Sequence, residues 1–162
     1  MSNTNTSRLM SIHEEIGEPL PLQHREQAVY LNLVRTHAIL SDEVAKLFQQ
    51  HGLSQPLYNV LKVVAREGDG GIPSQSIARF MVARDPDITR LVDKLKKEKL
   101  VTRRRDTQDR RVVRISATRS GKEIIQQLDP LIWKLHQQQL EHLSSEKLEV
   151  LNQLLVEART QA

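Results

Sequence analysis

Two groups of basic side chains have spacings that suit the binding of a polyanion. Arg90, Lys94 and Lys97 are three or four residues apart, so a helix would place them on one face. The segment 103–111 contains five arginines. Like charges on one short segment repel each other, whereas the phosphates of a nucleic acid would neutralise them. Both groups predict contacts with nucleic acid, and the guanidinium of Arg90 suits guanine because it can donate hydrogen bonds to both O6 and N7.

The distribution of charge along the chain supports this prediction. Residues 79–122 hold fifteen Lys and Arg against six Asp and Glu, a net of +9, and the remaining residues hold nine against fourteen, a net of −5, which together give the formal charge of +4. Such a basic block indicates a polyanion-binding face. It is also compatible with a solvated basic surface, on which Arg90 would form an ion pair with Asp87 or Asp93.

Residues for catalysis or metal binding show no pattern typical of such sites. The chain has no cysteine, which excludes disulfides, thiolate nucleophiles and cysteine-ligated zinc. None of the six histidines has a second histidine at the i, i+4 spacing of a helical zinc site. No glycine-rich phosphate loop, paired carboxylates or activated nucleophile stands out. The sequence therefore predicts that the protein is not an enzyme and holds neither a metal nor a cofactor.

The apolar residues indicate a helical protein that works in the cytoplasm. Apolar residues make up 38% of the chain and aromatic residues only 3%, so Leu, Val, Ile and Ala must build the core. No segment has the features of a signal peptide, and none approaches the roughly 18 consecutive apolar residues of a membrane-spanning helix. We therefore expect a cytoplasmic protein without a membrane partner.

A series of helices precedes the arginine-rich segment. Residues 1–21 are expected to form a flexible arm with one short helical stretch at most, and residues 22–50 show the apolar spacing of a long helix. Three shorter helices should follow, the first after Ser54 and the second from about Ser74 to Val82. The third should have Asp85 as its N-cap and Pro86 as its first residue, and should end near residue 99.

The period then changes to that of extended chain. Residues 101–104 and 112–115 are β-branched runs that predict a hairpin with a long polar tip, in which Asp106 and Asp109 would hold the turn and orient neighbouring arginines. A second long helix should begin at Thr118 or Ser120, with Pro130 kinking it unless the helix restarts there, and a last helix should follow Ser144.

The order helix, tight break, helix, basic hairpin describes a winged helix-turn-helix flanked by long helices. The predicted fold class is therefore mainly α with a small β-wing. In this arrangement the second helix of the pair enters the major groove of DNA, and the hairpin, called the wing, reaches a neighbouring minor groove or the backbone. Four apolar residues of the fourth helix share one side, which predicts the core-facing stripe opposite the basic row: Ile88, Leu91, Val92 and Leu95.

The sequence resembles the MarR (multiple-antibiotic-resistance regulator) family of bacterial transcription factors. The resemblance extends over roughly residues 22–160 and rests on matched positions from helix to wing to next helix: Ile88, Arg90, Leu95, Leu100, Val101, Asp109, Arg110, Arg111, Thr118 and Gly121. Three positions depart from the family pattern. Asp87 stands where a small residue is usual, Lys96 where Glu or an aliphatic residue is usual, and Lys99 where Gly is common.

The resemblance implies a homodimer that grips a roughly palindromic site on double-stranded DNA. Residues 22–160 would form one regulator domain, in which 54–118 bind DNA and 22–50 and 119–160 dimerise. The apolar rows of the long helices also exceed what one small domain can cover, although they could instead pack on each other within one chain. The candidate DNA-binding residues are Ser74, Arg84, Thr89, Arg90, Lys94, Lys97, Arg105, Arg110 and Arg111.

Family members respond to small phenolic ligands, to metal or to thiol oxidation, and the lack of cysteine excludes the last response. A small aromatic effector would bind between the dimerisation helices and the winged domain, with His37, Tyr58 and Trp133 as candidate contacts. The expected function is a sequence-specific dimeric transcriptional regulator, a repressor that such an effector releases. The alternative is an architectural DNA- or RNA-binding protein without sequence preference.

Overall fold

A computed structural model describes residues 10–82 and 87–160 of the 162-residue chain. The chain divides into two units, residues 1–43 and residues 44–162. No helix in the described ranges is both long enough and apolar enough to cross a lipid bilayer.

The first unit contains one short helix and most of a long one. Helix α1 covers Ile12–Glu15, and its first turn is held by the Ser11 amide, which donates to the Glu14 carboxylate at 2.8 Å. Helix α2 covers Arg25–Gln50, which confirms the predicted long helix with a start three residues later. The part of α2 in this unit has a row of exposed apolar side chains: Val29, Tyr30, Leu33, Val34 and Ile39.

The second unit contains the remaining elements in an order that confirms the winged helix-turn-helix. They are α3 (Gln55–Arg66), a 3₁₀ turn (Gly68–Gly70), β1 (Ile72–Pro73), a 3₁₀ helix (Ser74–Phe80), α4 (Ile88–Lys97), β2 (Val101–Arg105), β3 (Val113–Ala117), α5 (Arg119–Leu140) and α6 (Ser145–Thr160). The predicted fold class, mainly α with a small β-wing, is therefore correct.

The wing belongs to a three-stranded antiparallel sheet with the strand order β1-β3-β2. Strands β2 and β3 pair from Val101 opposite Ala117 to Arg105 opposite Val113. The first strand, β1, was not predicted, because two residues that include a proline show no alternation. Gly71 positions it: its φ is 64°, and a Cβ there would collide with the carbonyl oxygen of Ile115.

One aliphatic core joins the elements of the second unit. Six different elements each contribute at least one fully buried side chain to it, among them Phe48, Leu61, Ile77, Leu95, Ile115 and Leu128. In α4, Val92 and Leu95 are buried and Ile88 and Leu91 pack against the core. This arrangement confirms the predicted apolar stripe and leaves the opposite face of α4 toward solvent.

Two local predictions need correction. The helix predicted from about Ser74 to Val82 is a 3₁₀ helix that ends at Phe80, so Met81 and Val82 lie beyond it. The N-cap of α4 is Asp87, whose carboxylate accepts from the Arg90 amide at 3.0 Å, and the predicted cap Asp85 lies outside the described residues together with Pro86. Helix α5 continues through Pro130, which agrees with the prediction that this proline lies inside the helix.

The C-terminus of α4 ends in a Schellman motif with lysine in the position that glycine usually takes. The Leu100 amide donates to the carbonyl of Leu95 at 2.9 Å, and the Lys99 amide donates to that of Lys96 at 3.0 Å. Lys99 has a φ of 59°, the left-handed region that a side chain disfavours. The departure from the family pattern at this position therefore carries a local conformational cost.

Replacing Lys99 by glycine should raise the free energy of unfolding by about 0.5–1 kcal/mol, because glycine adopts a positive φ without the steric cost. Lys96→Gly is the matched control and should lower it by about 1 kcal/mol, since Lys96 lies inside α4. Denaturant titration of both variants measures the difference. A Lys99→Gly variant no more stable than the natural chain would contradict the argument.

The turn of the wing is built around the Asp106 carboxylate. One of its oxygens accepts from the amides of Gln108 at 2.8 Å and Asp109 at 3.2 Å, and the other accepts from the Arg114 guanidinium. The Arg114 hydrogen bond, followed by the two amides, lowers the pKa of Asp106 from 3.8 to about 2. Asp109 accepts from the Arg111 amide at 2.9 Å, so both aspartates hold the turn as predicted.

The contribution of Asp106 to stability should depend on pH. Its folded-state pKa is depressed from the ordinary 3.8, so the contribution is complete at about pH 5 and is progressively lost as the pH falls toward about 2. The difference in unfolding free energy between the natural chain and Asp106→Asn should therefore shrink between pH 5 and pH 3. Arg114→Gln should reduce the same pH dependence. A difference that stays constant over this range would show that the ion pair does not hold the wing.

Candidate nucleic-acid interface

The solvent side of α4 presents the basic row that the sequence predicted. Thr89, Arg90, Lys94 and Lys97 are all exposed, while the apolar residues between them face the core. The rigid packing of Val92 and Leu95 therefore fixes the direction in which this face points. A helix with three cations on its free side matches the requirement for insertion into a DNA groove.

The Arg90 guanidinium is available for a ligand. Neither of the two carboxylates considered as ion-pair partners takes that role: Asp87 accepts from the backbone amide of Arg90, and Asp93 pairs with Arg103 at 2.5 Å. Within the described part of the chain, no ion pair involves the Arg90 side chain. Its donors can therefore be directed to another molecule.

The five arginines of the predicted wing divide into two groups. Arg105, Arg110 and Arg111 are exposed near the tip, as a phosphate-binding role requires. Arg103 and Arg104 instead bond within the protein. Arg103 reaches the carbonyl oxygen of Thr89 and the carboxylate of Asp93 on α4. Two of the five arginines that the sequence assigns to phosphate as a group therefore also hold the wing in place, and neither of them is among the candidate DNA contacts.

Arg104 attaches the wing to the 3₁₀ turn Gly68–Gly70. Its guanidinium donates to the carbonyl oxygens of Asp69 and Gly70, the latter at 3.1 Å. Lys122 at the start of α5 donates to the Asp69 carboxylate at 2.8 Å, and this hydrogen bond lowers the pKa of Asp69. The turn, the wing and α5 are thereby joined through backbone oxygens and one carboxylate.

A groove of about 470 Å³ separates the 3₁₀ helix from α4 and the wing. Ser74 and Thr89, two of the candidate DNA contacts, line it together with Gln75 and Arg103. Gln75 is exposed here and was not among the predicted residues, since nothing in its neighbourhood of the sequence distinguishes it. Arg84, another candidate DNA contact, lies outside the described residues.

A second cavity of about 590 Å³ lies beside α3 and α5 in the same unit. Its walls are both apolar and charged and include Val63, Ala65, Phe80, Ile125, Lys62, Arg66 and Asp129. Arg66 lies over the Phe80 ring, with the guanidinium carbon 4.9 Å from the ring centroid. Phe80 is the last residue of the 3₁₀ helix, so the cavity adjoins the C-terminal end of that helix.

Tyr58, a candidate effector contact, takes part in a polar network at one end of this cavity. Its hydroxyl donates to the Asp129 carboxylate and accepts from Lys62 at 3.1 Å, and Lys62 also reaches Asp129 at 2.9 Å. Burial and the bond to Asp129 raise the pKa of Tyr58. Burial alone would lower the pKa of Lys62, but its bonds to Tyr58 and Asp129 raise it overall.

The three candidate effector contacts differ in their local surroundings. Tyr58 is buried against Phe48, with ring centroids 4.7 Å apart, whereas Trp133 on α5 is 72% exposed. His37 belongs to the first unit, where its ring bonds the Ser41 hydroxyl. Sequence reasoning missed Lys62 and Asp129, which are 67 residues apart and meet only through the packing of α3 on α5.

Carboxylates and imidazoles are dispersed in the structure. In the ranges 10–82 and 87–160, no three of them approach closely enough to hold a metal ion.

Comparison with known proteins identifies the family. The model of the family described as transcriptional regulator SarA/Rot matches residues 44–128. The chain is 27% identical to the HTH-type transcriptional regulator MhqR of Bacillus subtilis (strain 168) over 78% of its own length and 86% of that protein. The family match includes the whole of the wing and of α4.

Solved structures agree with the sequence comparison. A MarR transcription factor from Planctomyces limnophilus is 33% identical, with a TM-score of 0.62 over 83% of this chain and 98% of that one. BpsR of Bordetella bronchiseptica, whose DNA binding is regulated by 6-hydroxynicotinic acid, has the same fold at 18% identity, with a TM-score of 0.75 over 86% and 99% of the two chains. The chain is thus a DNA-binding transcriptional regulator of the winged-helix MarR type and belongs to the SarA/Rot family.

Proposed function

We propose that the protein is a dimeric, sequence-specific regulator that reads a roughly palindromic operator with α4 and grips the flanking DNA with its wing. The observation that carries this proposal is the exposed basic face of α4, on which the Arg90 guanidinium has no ion-pair partner in the described residues. A guanidinium presented in the major groove can bond both O6 and N7 of guanine. Lys94 and Lys97 on the same face would contact phosphates.

The wing supplies the part of the binding that does not depend on sequence. Arg105, Arg110 and Arg111 are exposed around a turn that Asp106 and Asp109 hold in one shape. Arginines held in this way can bind backbone phosphates or enter a narrow minor groove, where the negative potential is strongest. Ser74 and Thr89 border the groove between the two DNA-contacting elements and would add hydroxyl contacts to phosphate.

A second copy of the chain would cover the apolar surface of the last helix. Helix α6 has no buried residue, and its exposed row of Val150, Leu151 and Leu154 is too apolar for a free surface. Leu131 and Trp133 on α5 are exposed as well. An isologous interface formed by such faces places two winged units in a two-fold arrangement, which matches a palindromic site.

A footprint tests the palindromic operator, and affinity measurements test the role of Arg90. A footprint on the DNA upstream of the protein's own gene should show two protected half-sites about one helical turn apart. Arg90→Ala should lose about 1–3 kcal/mol of specific binding and relax the preference at one base pair in each half-site, because the bidentate contact is lost. Affinities for operator and unrelated duplexes measure this change.

The double variant Arg110→Ala/Arg111→Ala is the matched control for the Arg90 result. It should weaken binding to both duplexes alike and flatten the salt dependence by about one unit of slope for each lost phosphate contact. Uniform protection without half-sites would favour an architectural protein. An Arg90→Ala variant with unchanged base preference would show that Arg90 contacts only phosphate.

We also propose that a small aromatic effector binds in the cavity beside α3 and α5. Its volume of about 590 Å³ is in the range of small-molecule sites, and it combines the Phe80 ring with polar groups of Lys62 and Asp129. A ligand that displaced Phe80 would shift the 3₁₀ helix, whose Ser74 and Gln75 border the groove beside α4, and would therefore change DNA affinity. Release of a repressor by such a ligand is the regulation that the family resemblance implies.

Phenol and 4-hydroxybenzoate are suitable probes for this cavity. Trp133, the single tryptophan, follows Asp129 by one helical turn of α5, so binding should change its fluorescence saturably and lower the affinity for the operator. Ala65→Leu fills the cavity and should abolish both effects without weakening DNA binding. Lys134→Leu, an exposed position of α5, should leave both effects intact. Unchanged binding of the probes to Ala65→Leu would place the effector elsewhere.

A further inference from the structure

Arg103 connects the wing to the DNA-reading helix, although its sequence neighbours suggested a phosphate contact. Its guanidinium donates to the carbonyl oxygen of Thr89 at 3.4 Å and pairs with the carboxylate of Asp93 at 2.5 Å. The side chain is only 26% exposed. An arginine that bridges two elements in this way has fewer donors left for DNA than its neighbours at the wing tip.

The geometry of both elements explains why Arg103 meets α4. Side chains of a strand alternate between its two faces, so Arg103 shares a face with Val101, and it pairs across the sheet with Ile115. Val101 and Ile115 are core residues, which shows that this face is directed inward. Thr89 and Asp93 are four residues apart on α4 and therefore lie on one side of it.

The position of this link is important because Thr89 and Asp93 flank Arg90. A guanidinium that bonds a carbonyl oxygen and a carboxylate through different nitrogens fixes a direction as well as a distance, since its donors form a rigid planar fork. The link therefore restrains both the rotation of α4 and the tilt of the wing against it. Among the described residues, the other side chains of β2 make no hydrogen bond or ion pair to α4.

We propose that Arg103 and Asp93 are positioning residues that set the angle between α4 and the wing. This angle determines how well the two elements fit the operator together. This inference rests on the proposed function, because it assigns the pair an effect on base reading. Asp93 is 56% exposed on the DNA-facing side, where a carboxylate by itself repels phosphate. Removal of the Asp93 charge should therefore raise the affinity for the operator if Asp93 only repels phosphate, and lower it if Asp93 positions Arg103.

The test compares variants of the full chain on the operator and on an unrelated duplex of equal length, at several salt concentrations. Asp93→Asn should lower the affinity for the operator about tenfold, within the range for loss of one base contact, while the affinity for the unrelated duplex is unchanged or higher. Glu98→Gln is the matched control, because Glu98 ends the same helix and forms no ion pair within the described residues. It removes an equal charge and should not weaken operator binding.

Two further variants separate positioning from direct contact. Asp93→Glu keeps a carboxylate within reach of Arg103 and should restore most of the operator affinity. Arg103→Gln should reproduce the Asp93→Asn loss without adding to it in the double variant, since either change breaks the same link. The dependence of affinity on salt concentration should be the same for Asp93→Asn and Arg103→Gln as for the natural chain, because no phosphate contact is lost.

The contrary outcomes are distinct. If Asp93→Asn tightens binding to both duplexes as Glu98→Gln does, Asp93 is only a repulsive charge and the inference is overturned. If Arg103→Gln weakens both duplexes equally and flattens the salt slope by about one unit, Arg103 contacts phosphate, and the inference is again overturned. If the natural chain does not discriminate between the two duplexes, the proposed function itself fails, and the inference fails with it.

Discussion

The DNA-binding unit depends on the carbonyl oxygen of Leu100, where α4 ends and the wing begins. It accepts from the amide of Thr118 at 3.0 Å. The Thr118 hydroxyl lies between this oxygen, at 3.1 Å, and the carbonyl oxygen of Lys99, at 2.9 Å, and it accepts from the Gly121 amide at 3.0 Å. A Cβ at position 121 would collide with this oxygen, so α5 can approach only with glycine there. The end of α4, both ends of the wing and the start of α5 are therefore fixed at one point.

That junction explains why Leu100, Thr118 and Gly121 carried much of the family resemblance although none of them faces DNA. They close the base of the wing, so substitutions at its tip need not disturb the core. The charged links act farther from this point. Arg103 joins the wing to α4, Arg104 joins it to the turn Gly68–Gly70, and Arg114 holds the tip through Asp106. A hairpin with fixed ends and three bonded arginines presents its remaining arginines in a defined direction.

Much of this arrangement could be predicted from the sequence because its periods are strong. The apolar spacing of Ile88, Leu91, Val92 and Leu95 defined both the core face and the basic face of α4, and the change of period after Leu100 defined the wing. Strand β1 could not be found because two residues have no period. Asp85 and Asp87 both flank Pro86 as possible N-caps, and local chemistry alone does not choose between them.

The division of the wing arginines shows where composition stops being informative. A count of charges treats Arg103 and Arg105 alike. The two side chains lie on the same face of β2 but at different distances from the core, and only Arg103 lies beside α4. The alternation of side chains along β2, which puts Arg103 on the same face as Val101, could be predicted from the sequence. The ion pair of Arg103 with Asp93 could not, because Asp93 belongs to another element. Charge runs therefore indicate that a surface binds a polyanion, whereas the tertiary structure decides which cations are free to do so.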